Sequence, residues 1–457
     1  MIVSLSSLWE IIFKEKFLKD DRQAAWTIDI ILDQKHQLIF LLPKYQFYLQ
    51  IIVILSTQML LGSLLGMLLY YGIFLPLQQQ QESKKRNGYS IFLIGYGIII
   101  PMALYIPFWI VDQFDIQNVL LRLGCIAISM TIPLRCLEAM HYYHMPTTSK
   151  NHRHNNALRS YSSCRDYVSA TSFTFRPALD EKGNYIAFTA QSMMHVLRMY
   201  LTYMAIISVV CSILAPVHYS PFPNNNNHPN NHPPMLILTL HWSDWYNAFV
   251  QAAVISLVLQ FSLSGTAALA GLYTGIQYEY KGITNYPMFC SQSPSDFWGR
   301  RWNNLIHSDL KRGVYLPLRQ RNTSKLVAAL MTFLVSGLLH EHVWMVLFFY
   351  NHDNKRLLLS SGDNKDNDIN QNADYWFGKQ LVFFGWNGIL LSLEYLLGGT
   401  LGTVLRKTKT PRFIQSHLVV LLALPLAHLF TTDMTVAGGF IALQSAVPMI
   451  AVVAVKQ

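Results

Sequence analysis

Long uncharged runs constrain this chain more than any other feature. A helix needs about 20 mostly apolar residues to cross the hydrocarbon core of a bilayer, and inside that core it must satisfy its own backbone polar groups. Roughly eight or nine stretches have that length. They are Tyr45 to Gln81, Gly88 to Val111, Ile116 to Leu134, Arg198 to Val217, Tyr246 to Gly275, Leu326 to Phe349, Trp376 to Leu405, Ile414 to Thr432 and Ala437 to Val455. The first is too long for one upright helix and barely long enough for two, and is read as one tilted span. Composition agrees: 52% of the residues are hydrophobic and 13% are charged, about half the charged share of an ordinary soluble domain. The expected fold is therefore all-α, a polytopic membrane bundle of roughly eight or nine transmembrane helices. Residues 1–44 are expected to form an N-terminal region at the membrane interface and residues 45–457 a single membrane domain.

The net charge is 35 − 25 = +10. Such a balance suits nucleic acid in a soluble protein, but among apolar spans it reads as basic loops on one side of a membrane. Parity tests that reading. Lys84, Lys85 and Arg86 lie two spans before the loop carrying Lys150, Arg153, Arg159 and Arg165. Two further spans lead to Arg300 to Lys325, and two more to Arg406, Lys407, Lys409 and Arg412. All four clusters fall on one side, expected to be cytoplasmic. The Asn/His/Pro-only run Pro223 to Pro234 and the Asp-rich segment Asn351 to Asp374 fall on the other, as solvated loops. The first 44 residues lack the order of a cleaved signal peptide, so none is expected. Cys125, Cys136, Cys164, Cys211 and Cys290 are odd in number and scattered, which indicates neither a disulfide framework nor a zinc site. No segment repeats at a fixed period, and no matched pair of broken helices suggests a transporter.

Charges inside spans are costly and call for a function. The densest set is His340, Glu341 and His342 in the sixth span. Two histidines sharing a metal from one helix sit at i and i+4, and the residue four after His340 is Trp344, so no metal site is expected. His340 shares its face with Ser336, Gly337 and Trp344, and Gly337 allows another backbone or a substrate chain to come close. The plainer alternative is that His340 and Glu341 only hold helices together by hydrogen bonds. Immediately before this span lies Asp296 to Leu318, DFWGRRWNNLIHSDLKRGVYLPL. From Asp296 to Lys325 there are seven bases and two acids. An interfacial amphipathic helix explains its tryptophans and charges better than it explains Asn303 and Asn304.

Asp296-Phe297-Trp298-Gly299-Arg300-Arg301-Trp302-Asn303, followed by Phe333-Leu334-Val335-Ser336-Gly337-Leu338-Leu339-His340-Glu341, resembles the paired signature of wax synthases in the membrane-bound O-acyltransferase superfamily. In that family Asp-Phe-Trp-x-x-Arg-Trp-Asn precedes a Ser-Gly-x-x-His-Glu span. The resemblance covers about Gln191 to the C-terminus, with residues 296–349 as its signature region. It implies a multi-pass acyltransferase of the endoplasmic reticulum membrane. Its catalytic residues would be His340, the general base, and Asn303, with Arg300, Trp302, Ser336 and Glu341 on the substrate side.

The implied reaction moves an acyl group from acyl-CoA to a hydroxyl, so acyl-CoA is a co-substrate and no tightly bound cofactor is expected. A neutral imidazole, with an ordinary pKa near roughly 6.5, can accept the alcohol proton as attack proceeds. The Asn303 amide can donate to the developing oxyanion. Glu341 leaves the helix about 100° from His340 and is expected to bond a neighbouring helix rather than that imidazole. Arg300, Arg301, Lys311 and Arg312 are available for coenzyme phosphates. Lys379, Asn387, Glu394 and His428 are read as interhelical hydrogen-bonding groups. The expected partners are acyl-CoA, a hydrophobic alcohol and membrane lipids, with no nucleic acid, and the first acceptor is a long-chain fatty alcohol giving a wax ester. Two readings stay open: acetyl transfer to a terpenoid or other secondary-metabolite hydroxyl, and a proton-coupled transporter with His340, Glu341, Glu394 and His428 as a relay.

Overall fold

The computed structural model describes residues 25–31, 36–83, 88–142, 163–173, 175–182, 184–214, 242–279, 284–350, 377–397, 411–436, 442–443 and 446–454. Pro223 to Pro234, Asn351 to Asp374 and most of the basic clusters used for parity lie outside these residues.

Among the described residues, six helices are long and apolar enough to cross a membrane: α1 (Tyr45–Gln79), α2 (Tyr89–Gln113), α3 (Val119–His141), α4 (Ala190–Leu214), α5 (Ala248–Thr274) and, after the short α6 (Asn304–Leu310), α7 (Lys325–Phe349). Further helices that bear on the site are α8 (Lys379–Leu396), α9 (Arg412–Ala423) and α10 (Ala427–Val436). Helix α1 has 35 residues, about 52 Å at 1.5 Å per residue against a core of about 30 Å. One long helix therefore takes the ambiguous first run.

Three of the expected spans come out differently. The seventh is the 18-residue α8, with Lys379 and Glu394 inside it. The eighth is split between α9 and α10 by a single 3-10 turn at Leu424–Leu426, where Pro425 cannot donate to a helical ladder. The ninth is no span in its described part. Met449–Ala454 is a strand, β3, that pairs antiparallel with β2 (His36–Pro43), which in turn pairs with β1 (Ala25–Ile31). A short apolar run rich in valine and isoleucine has no periodicity that separates strand from helix. Here Met449 is buried and its neighbour Ile450 exposed, the alternation of a half-buried strand. Part of the N-terminal region thus enters a small sheet beside the helical bundle.

The intramembrane charge Arg122 is spent on backbone. It donates to the carbonyls of Ile116 (2.7 Å), Val346 (3.3 Å) and Leu347 (3.2 Å), tying the start of α3 to the end of α7. Among the described residues there are three buried cores, one chiefly around α1 to α3, one around α6 to α10, and a smaller one where α4 and α5 meet Met59, Phe173 and Phe175. The second surrounds the signature residues, and its backbone is the pair α7 and α8, the most extensive helix contact among the described residues.

Candidate active site

The signature loop is shaped by its own side chains. Ser293 accepts from the Asp296 amide (3.1 Å), starting a turn over Pro294–Asp296 that continues as a π-helical turn over Phe297–Arg301. Asp296 Oδ2 accepts from Arg301 Nε (2.8 Å) and from the Gln292 amide (3.1 Å), and Arg301 Nη1 donates to the Asn285 carbonyl (3.2 Å). Arg301 stands where the wax-synthase pattern has its fixed arginine, and it closes the loop rather than reaching for phosphate. Trp298 Nε1 donates to Asn387 Oδ1 on α8 (3.0 Å), while Phe297 and Trp302 stack with centroids 5.5 Å apart.

Asn303 follows in the left-handed region, φ 38° and ψ 65°, a conformation asparagine tolerates better than most side chains. Its Oδ1 accepts from the Ile306 amide (3.4 Å), capping α6. With the carbonyl end used as a cap, the NH2 end is the part of Asn303 available as a donor.

Helix α7 starts at a serine cap, Ser324 Oγ accepting from the Val327 amide (3.2 Å), and carries His340 four turns further on. The His340 Nδ1 lies 2.7 Å from the Ser336 carbonyl oxygen, one turn back. A carbonyl only accepts, so in the neutral ring Nδ1 holds the proton and Nε2 presents a lone pair. The ring sits among aromatics, 4.4 Å from Phe384, 5.6 Å from Phe430 and 6.1 Å from Trp344, centroid to centroid. Its neighbour His342 points the other way, edge-on to Phe108 at 5.2 Å.

His340 and Asn303 line the same cavity, of about 610 Å³, between the signature loop, α6, α7 and α8. Trp302 and Ser336 line it too. Arg300 is exposed and outside the lining. Glu341 is buried and turned toward α8, its Oε1 accepting from the amides of Gly378, Gln380 and Leu381. The close approach that Gly337 permits is also to α8: a Cβ there would lie 2.9 Å from Leu381 Cα. Of the cations expected near coenzyme phosphates, Lys311 lines the cavity, whereas Arg312 pairs with Asp309 (3.1 Å) and Glu138 (3.4 Å). Arg135 on α3 joins that network through Asp309 (3.1 Å) and Glu138 (3.2 Å). The network fastens α3 to α6 and to the turn that follows it.

Lys325, His307, Tyr315 and Tyr395 line the cavity without having been assigned to it from sequence. Lys325 had a legible signal, a basic residue opening the span that carries His340. His307 had none, because a histidine in an interfacial turn looks the same whether or not it faces a cavity. Glu394, which also lines the cavity, accepts from the Ser295 amide (2.8 Å) and hydroxyl (2.9 Å). Glu341 and Glu394 therefore serve different partners at the two ends of α8, an arrangement unlike a proton relay. Asn387 meets its expectation as an interhelical group through Trp298.

Residues 280–355 match the model of the Membrane bound O-acyl transferase family, a segment containing both halves of the signature. Among similar proteins are Acyl-CoA--sterol O-acyltransferase 1 of Arabidopsis thaliana, 34% identical over 124 residues, 26% of this chain and 31% of that one. Probable long-chain-alcohol O-fatty-acyltransferase 9 of the same plant is 42% identical over 66 residues, 13% and 19% of the two chains. Long-chain-alcohol O-fatty-acyltransferase of Simmondsia chinensis is 41% identical over 81 residues, 15% and 22%. The chain thus spans about a third or less of the length of these relatives in each match. The resemblance to wax synthases is borne out over the signature region, and with six apolar helices the chain is an integral membrane protein.

Proposed function

We propose that this protein is an acyl-CoA-dependent O-acyltransferase acting on a hydrophobic alcohol, with a long-chain fatty alcohol as acceptor and a wax ester as product. The observation that carries the proposal is the convergence of His340 and Asn303, one from inside a span and one from the loop before it, on one largely apolar cavity. The similarity to long-chain-alcohol O-fatty-acyltransferases supports it.

In this reading His340 Nε2 takes the alcohol proton as the oxygen attacks the thioester carbonyl carbon. The bond from Nδ1 to the Ser336 carbonyl fixes the tautomer and ring orientation that this requires. The Asn303 NH2 donates to the carbonyl oxygen as negative charge develops on it, from a side chain already held by its cap on α6. Collapse of the tetrahedral intermediate breaks the carbon–sulfur bond, and the proton held by His340 passes to the departing thiolate, so ester and free coenzyme leave and the base is restored. Lys311, Lys325 and His307 give the cavity the cationic and polar groups that suit an anionic coenzyme. The parity of basic loops supports the cytoplasmic side for this end of the cavity, and the endoplasmic reticulum is the membrane the reading expects.

The test is ester formation by membranes carrying the chain, given labelled palmitoyl-CoA or acetyl-CoA with fatty alcohols, sterols, terpenoid alcohols and diacylglycerol. A wax ester from palmitoyl-CoA and a fatty alcohol is the expected product. Steryl ester alone would move the acceptor toward that of the sterol acyltransferase relative, and acetate esters alone would move the donor. No ester with any acceptor would refute the proposal.

A further inference from the structure

Helix α8 arrives at the site without a cap of its own. Its N-cap position is Gly378, at φ +114° and with no side chain to accept a bond. The first amides of a helix have no intrahelical partner and must be satisfied elsewhere. They are satisfied by α7: Glu341 Oε1 accepts from the amides of Gly378 (2.9 Å), Gln380 (2.7 Å) and Leu381 (3.3 Å). A carboxylate at this end also opposes the positive end of the helix dipole. Only 2% of Glu341 is exposed, so these bonds replace the water it has lost.

One turn earlier on the same face, Gly337 leaves room for the Leu381 backbone. Gly337 and Glu341 together form a socket for the first turn of α8, one residue by close approach and the other by hydrogen bonding. What the socket fixes is the reacting end of the site. Three residues beyond Leu381, the Phe384 ring lies 4.4 Å from that of His340. One turn further Asn387 holds Trp298, and near the far end Glu394 holds Ser295.

We infer that Glu341 is a positioning residue for the acyl transfer proposed above, docking α8 so that its side chains hold His340 and the signature loop in register. It acts as a hydrogen-bond acceptor of the right reach, and its charge is not part of the reaction. The inference rests on the acyltransferase reading for its kinetic consequence but not for the docking itself.

Two variants separate reach from charge in the full chain. Glu341→Gln keeps an acceptor at the same distance and removes the charge, and Glu341→Asp keeps the charge and falls one methylene short. With palmitoyl-CoA and hexadecanol as probes, E341Q is expected within about threefold of the wild-type kcat, with an unchanged pH profile. E341D is expected to lose about tenfold or more in kcat with little change in KM for the donor, since displacement of about 1 Å near reacting groups costs up to 10²-fold. The unfolding temperatures in detergent should follow the same order, glutamine above aspartate. If E341D outperforms E341Q, or the two fall equally, or the E341Q pH profile moves, Glu341 acts through its charge and the inference is overturned. A wild type that makes no ester refutes the functional reading instead, and the unfolding order then decides the docking.

Discussion

Gly337→Ala should damage the site although alanine is the better helix former. Replacing glycine inside a helix gains about 0.5–1 kcal/mol from backbone entropy. At Gly337 the added Cβ would lie 2.9 Å from Leu381 Cα and 3.2 Å from the Gln380 carbonyl oxygen, both backbone atoms of α8. Carbon atoms in good contact are about 3.5–4.0 Å apart, so α8 must move away by about 0.6 Å or more. Overpacking of this kind costs about 1–3 kcal/mol, which leaves a net loss of about 0–2.5 kcal/mol. The same displacement strains the three bonds to Glu341 and shifts Phe384 on His340, so kcat should fall about tenfold. Gly385→Ala is the control in the same helix pair: its Cβ would meet only Leu334 Cδ2, at an ordinary 3.7 Å. That variant should gain about 0.5–1 kcal/mol and keep its activity. Unfolding temperatures in one detergent and ester formation at saturating substrates measure both. If G337A proves as stable and as active as G385A, the close α7–α8 approach does not set the geometry of the site.

Asn303→Asp keeps an oxygen to cap α6 but removes the NH2 donor. Its unfolding temperature should stay near that of the wild type while kcat falls about 10²- to 10³-fold, the usual cost of losing an oxyanion donor; retained activity would exclude that role. Arg135→Met strips one cation from the buried Asp309, with Arg312 remaining 3.1 Å away. Breaking a buried pair costs about 3–5 kcal/mol, and the remaining arginine should hold the loss to about 2–4 kcal/mol. Adding Asp309→Leu should return much of the lost unfolding temperature, and a double variant worse than the single one would contradict the pairing. Asp296→Asn weakens the closure of the signature loop on Arg301, 2.8 Å away. It should lower kcat and unfolding temperature together, and an effect on KM for the donor alone would point instead to a coenzyme contact.

The membrane class was readable because spans are set by length and apolarity, and six helices fall on the expected runs, although α3 runs past Leu134 to His141 and α4 starts before Arg198, at Ala190. Reading weakened where that arithmetic becomes ambiguous. Met449 to Ala454 is apolar enough for lipid yet short and β-branched enough for a strand, and only its pairing with His36–Pro43 decides between them. Within the site, the pattern brought His340 and Asn303 to attention, and both line one cavity. The cap on α6, which leaves Asn303 its donor, depends on a backbone angle no pattern states. Glu341 shows the same limit. Its direction away from His340 follows from helix geometry, but its partners lie on a helix that begins 38 residues later. The basic residues of the signature are alike in sequence and differ in the fold: Arg301 closes its own loop, Arg312 joins Asp309 and Glu138, and Lys311 faces the cavity. Such distinctions arise from which helix packs where, and nearest neighbours in sequence do not encode them.

His340, oriented by the Ser336 carbonyl, is proposed as the base of an acyl transfer. The most direct measurement is ester formed from labelled palmitoyl-CoA and hexadecanol by membranes carrying equal amounts of the wild type or His340→Ala. Wax ester is expected from the wild type, with a loss of about 10²- to 10⁴-fold in the variant, the range for removing a general base. Undiminished ester formation by His340→Ala would contradict the proposal.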